Sequence, residues 1–81
     1  MKLEKVEVKG VPCWVTVDNF RYYNVDKGEV VTTNSFVSWF SFAEPGLVFG
    51  RPVVDENGHP ALFKAYHLAL AAAIKVAEAS L

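Results

Sequence analysis

From Leu3 to Asp18 the chain alternates between apolar and polar residues with a period of two, the signature of half-buried strands. The dipeptide Gly10-Val11 suits the centre of a type II′ turn, in which glycine comes first. A hairpin closed there sets Val8 opposite Cys13, Val6 opposite Val15 and Glu4 opposite Val17. One face then carries Val6, Val8, Cys13, Val15 and Val17, and the other Lys5, Glu7, Lys9, Trp14 and Thr16. Pro12 lacks an N–H to donate, so it belongs at a strand start or an edge.

Asp18-Asn19 reads as a turn, followed by a third strand over residues 20–25, rich in aromatic and β-branched side chains. Asp26-Lys27-Gly28 predicts a tight turn, with glycine available for positive φ. Val30-Val31-Thr32-Thr33 returns antiparallel as a fourth strand. Residues 30–43 contain no charge but hold Phe36, Trp39, Phe40 and Phe42. A helical turn capped by Ser35 would stack Phe36, Trp39, Phe40 and Ala43 on one stripe. The strand reading is preferred, because serines and aromatics alternate and Glu44-Pro45-Gly46 closes the run as a turn. Leu47-Val48-Phe49 and Val53-Val54 continue as short extended pieces, and Asp55-Glu56-Asn57-Gly58 is the clearest turn signal in the chain.

Residues 61–80 are rich in alanine and contain neither Gly nor Pro, which predicts a helix. At 100° per residue, Lys64, His67, Ala71, Lys75 and Glu78 share one polar stripe about 80° wide. Leu62, Tyr66, Ala69, Ala73 and Val76 lie opposite, and Phe63, Leu70, Ile74 and Leu81 form a second apolar flank. The apolar girdle is wider than one sheet can cover, so the helix reads as buried from two directions. The fold class that follows is α+β: about five short antiparallel strands in one domain, with a C-terminal helix packed across the sheet. The expected core is Val6, Val8, Val15, Val17, Phe40, Tyr66, Ala69, Ala73 and Val76.

Composition narrows the function classes. The 81 residues are 52% hydrophobic and 21% charged, with a formal net charge of −1. A chain this short buries only about two-thirds of the surface its unfolded form exposes, so it should lean polar; this one does not. Disorder would need more charge and fewer aromatics, and a membrane span about 20 consecutive apolar residues. No apolar stretch follows the charged N-terminus, and Cys13 is the sole cysteine, so a cytoplasmic protein without a disulfide framework is expected.

The candidate chemistry is thin. His59 and His67 are not spaced as a metal-ligand pair, and Cys13 points inward among valines, where a thiol is inert. Ser35, Ser38 and Ser41 lack a nucleophile elbow, while Asp18, Asp26, Asp55 and Glu56 fall at turns. No glycine-rich loop precedes the helix to cradle a phosphate. No metal, cofactor or enzymatic activity is therefore expected.

Two binding functions remain. The first is a non-enzymatic interaction protein, a homodimer that binds another macromolecule, its dimer contact on the flank Phe63, Leu70, Ile74 and Leu81. Interface cores are poor in charge and rich in aromatics, as residues 30–43 are. Small chains of this kind are often encoded by phages or other mobile elements, a background expectation that no residue carries. The second is single-stranded nucleic-acid binding on the sheet face through Lys5, Lys9, Trp14, Arg21 and Tyr23, with bases stacked on aromatics among basic groups. The overall charge offers phosphates little attraction.

Overall fold

A computed structural model of the chain describes residues 2–44 and 50–81. Among these residues β1 (Lys2–Val8), β2 (Val11–Asn24), β3 (Glu29–Ser41) and β4 (Arg51–Pro52) form one antiparallel sheet in the order β1-β2-β3-β4. The helix α1 (Tyr66–Ala79) packs across it, chiefly on β3 and β2. The class is α+β as expected, with four strands in place of five.

The strand count falls because Asp18-Asn19 is not a turn. β2 runs straight through it and only shifts register between Asn19 and Arg21. The polar side chains that suggest a turn instead stitch this irregularity. Asp18 accepts from the Asn19 N–H and from Arg21, and Asn19 Nδ2 donates to the Thr33 carbonyl. Thr33 Oγ1 in turn donates to the carbonyl of Phe20. The expected third and fourth strands are therefore the far ends of β2 and β3.

The first hairpin turns one residue earlier than expected. Lys9 and Gly10 occupy its two central positions with φ of 50° and 78°, both positive as a type I′ turn requires. Val8 faces Val11 and Val6 faces Cys13, a register two residues away from the expected one. A shift of two preserves the faces, whereas a shift of one would invert them. Val8, Cys13, Val15 and Val17 are accordingly buried on one side.

Residues 36–42 follow the strand reading, inside or immediately after β3. The expected pieces Glu44-Pro45-Gly46 and Leu47-Val48-Phe49 lie wholly or largely outside the described residues. The short strand after them is Arg51–Pro52, slightly earlier than Val53-Val54, and the Val53 N–H donates to the Ser38 carbonyl at 2.9 Å. The Asp55–Gly58 turn forms: Asp55 Oδ1 accepts from the N–H groups of Asn57 and His59.

The helix starts at Tyr66, five residues later than the pattern predicts. The sheet captures the intervening segment. Phe63 and Phe36 exchange backbone hydrogen bonds of 2.8 and 2.9 Å, which ties the segment to β3 before the chain bends at Lys64 and Ala65 into the helix. Ala65 enters the helix in an extended conformation with no side-chain cap.

The core lies between the sheet and the helix. It joins Val8, Cys13, Val15, Val17, Phe40 and Val53 to Ala69, Ala73 and Ala77, with Val6 and Tyr66 packed at its margin. The three alanines are fully buried and let the helix backbone approach the sheet closely. Val76, expected in the core, is 39% exposed. The contact centres on the row 69-73-77, and Val76 sits to one side of that row. Lys64, His67, Ala71, Lys75 and Glu78 face outward as the polar stripe requires.

Candidate interaction surfaces

Among the described residues the groups considered for chemistry are occupied structurally or stand apart. Cys13 is buried, and burial pushes its thiol up, opposed in smaller measure by a hydrogen bond with the Ser41 backbone. Such a thiol is a poor nucleophile. Ser41 Oγ donates to the Ala43 carbonyl, and Ser38 is buried inside the sheet. Among the described residues no group of three His, Cys, Asp or Glu side chains is placed to hold a metal ion, and no helix is long and apolar enough to cross a membrane. A cleft of about 280 Å³ lies beside the β2 irregularity, lined by Phe20, Val37, Trp39, Pro52 and Pro60 with Asp18 and Arg21 at hand. It falls just short of the usual range for small-molecule sites, about 300–1,000 Å³.

The five residues considered for nucleic acid do not converge. Lys5 and Trp14 are cross-strand partners, with the Lys5 ammonium 5.4 Å from the centroid of the Trp14 ring. That contact occupies part of the ring face a base would stack on. Lys9 is in the β1-β2 turn. Arg21 is bound to Asp18 at 2.6 Å, and this hydrogen bond holds the Asp18 carboxyl below its ordinary value. Tyr23 lies further out along β2, beyond the end of β1.

Of the helix flank, Phe63, Leu70 and Ile74 are partly buried against the chain's own core. Leu81 is half exposed at the C-terminus. The monomer thus already covers part of three of the four flank residues. Leu68 and Val76 stay exposed on the other side of the helix.

Among the described residues the most exposed apolar side chains lie elsewhere. Among these residues β1 pairs with β2 from Val11 to Val17, and β4 pairs with Trp39 and Phe40. Residues 20–34 therefore project as a two-stranded ribbon of the β2-β3 hairpin, and Tyr22, Tyr23, Val25 and Val30 on it are 46, 61, 82 and 63% exposed. The molecule extends 47 × 26 × 20 Å with a radius of gyration of 13.4 Å, against about 12 Å for a compact chain of this length. Its accessible surface of 5593 Å² is about 700 Å² above that of a compact protein of equal mass. Sequence reasoning located both ribbon strands. It missed their exposure, which depends on how far β4 and the Phe63 bridge reach along β3.

Compared with protein-family models, curated proteins and solved structures, the chain finds no match. The fold therefore defines a class, a small α+β domain of four antiparallel strands and one C-terminal helix, and sequence relatives add nothing to it.

Proposed function

We propose that this protein is a non-enzymatic interaction module, a homodimer that acts by binding another macromolecule. The observation that supports this most is the exposure of Tyr22, Tyr23, Val25 and Val30 on the β2-β3 ribbon. A monomer without a partner gains nothing by holding valines and tyrosines in water. The single buried Cys13 agrees with a cytoplasmic setting. Light scattering after size exclusion at tens of micromolar tests the homodimer. A mass of two chains is expected, and a clean species of 9.0 kDa would overturn it.

A second reading, single-stranded nucleic-acid binding, draws on the basic and aromatic pair Lys5 and Trp14 across β1 and β2, and it requires a base to displace the Lys5 ammonium from the ring. It predicts quenching of tryptophan fluorescence by short oligonucleotides at low salt, lost in Trp14→Ala. An unchanged spectrum at low salt disposes of it.

A further inference from the structure

An isolated two-stranded ribbon is marginal in water, and its outer edges present unpaired backbone donors and acceptors to any strand that arrives. The sheet has two contrasting kinds of edge. β1, the first edge, carries Lys2, Glu4, Lys5 and Glu7 along its length, the charged dressing that blunts strand addition. The outer edge of β3 over residues 30–34 has none. Its sequence Val-Val-Thr-Thr-Asn is uncharged and lacks proline and glycine, and four of its five residues are β-branched. Among the described residues, β4 and the Phe63 bridge reach β3 only from Phe36 onward.

We propose that this outer edge of β3 is the dimer contact, and that it pairs antiparallel with the same edge of a second copy. The proposal rests on the homodimer reading and gives that dimer its surface. A two-fold axis at Thr32 sets Thr32 opposite its own copy, Val30 opposite Asn34 and Val31 opposite Thr33, so that no like charges meet and opposed side chains share a face. Such a contact is isologous and closes after two chains.

Charge selects a second copy over other occupants. Within the ribbon Arg21 is matched by Asp18, and Lys27 lies between Asp26 and Glu29 in sequence. A polyanion finds no net attraction there, and a charged peptide finds no complement. An equally uncharged, β-branched edge does find a match, in backbone hydrogen bonds and cross-strand side-chain contacts.

The test is the mass of variants in solution. Val30 and Thr32 are both exposed, so Val30→Lys with Thr32→Lys should leave the monomer fold intact, as circular dichroism and a thermal melt would verify. Lysines brought together across the two-fold repel and guard the edge, and should raise the dimer dissociation constant by at least about a hundredfold. Val30→Lys alone should act in the same direction and more weakly. Leu81→Glu, on the helix flank, should leave the dimer unchanged. If the wild type is a dimer and the lysine variants remain dimeric, the edge proposal fails while the homodimer reading stands. If the wild type is a single chain, both fail.

Discussion

The phenol of Tyr66, in the first turn of the helix, donates a hydrogen bond to the carboxylate of Glu4 on the outermost strand. The same ring meets Phe36 edge-on at 6.4 Å between centroids, and the Lys2 ammonium lies 5.2 Å from its centre. One side chain thus ties α1 to both β1 and β3. A helix without a side-chain cap gains its fixed start from this clasp.

The clasp has a pH signature. Burial, then the hydrogen bond to Glu4 and its charge, push the Tyr66 phenol from 10.0 up to about 12. A group whose pKa is raised on folding stabilises the fold fully below its unfolded value. That contribution is lost as pH climbs through the folded one. Stability should therefore decline from about pH 10 to 12, and Tyr66→Phe should flatten the decline. In a tyrosinate absorbance titration, the difference between wild type and Tyr66→Phe should ionise near 12, and Glu4→Gln should lower that value. A difference curve centred at 10 would show that the clasp does not hold in solution.

Ser38 presents the opposite situation. It is 1% exposed, and its hydroxyl has no hydrogen-bond partner among the described residues. An unsatisfied buried hydroxyl is costly, so Ser38→Ala should be neutral or stabilise by up to about 1 kcal/mol. Chemical denaturation would reveal the sign, and a loss of more than about 1 kcal/mol would mean the hydroxyl has a partner.

Gly50 is required by its surroundings as well as by its backbone. Its φ is 102°, and a Cβ there would lie 2.5 Å from the Phe40 carbonyl oxygen and 2.9 Å from Ser41 Cβ. Gly50→Ala should cost about 1–3 kcal/mol from backbone strain alone, and more from displacing β3. Gly10, at φ 78° with nothing within 4 Å of the added methyl, should tolerate alanine at about 1–2 kcal/mol. Thermal melts of the two variants should rank Gly50→Ala as clearly the worse.

Lys9 holds a left-handed conformation, φ 50°, at the first central position of its hairpin. Asn-Gly is the favoured pair for a type I′ turn. Lys9→Asn should therefore stabilise the protein, by about 0.5–1 kcal/mol given the usual left-handed penalty. An unchanged or lowered melting temperature would contradict the turn assignment.

The faces of the elements were legible in the sequence, because side-chain alternation survives an even error in register. Moving the turn from Gly10-Val11 to Lys9-Gly10 shifted every cross-strand pair but left Val8, Cys13, Val15 and Val17 together on the core side. The outward stripe of the helix was legible for the same reason, as angular position does not depend on where the helix begins. The element ends were not. Asp18-Asn19 carries turn chemistry and Ala61–Ala65 helix propensity, yet distant partners claim both: Thr33 for the first and Phe36 for the second. Local preference is worth a few tenths of a kcal/mol per residue, less than a pair of well-placed backbone hydrogen bonds in a sheet.

The surplus of apolar residues was likewise visible in composition, but not where it would emerge. Periodicity placed it on the helix flank, where Leu70 and Ile74 prove to serve the chain's own core. By itself the sequence determined the α+β class, the core face of the first hairpin and the polar stripe of the helix, since these follow from periods of 2.0 and 3.6 residues. It did not show that Thr16 and Val37, on the opposite face of the sheet, are buried as well. Only the tertiary structure decided which apolar side chains remain in water. That depends on β4 and the Phe63 bridge reaching β3 only from Phe36 onward among the described residues. Such lengths are set by contacts between segments far apart in the chain, which no local pattern records.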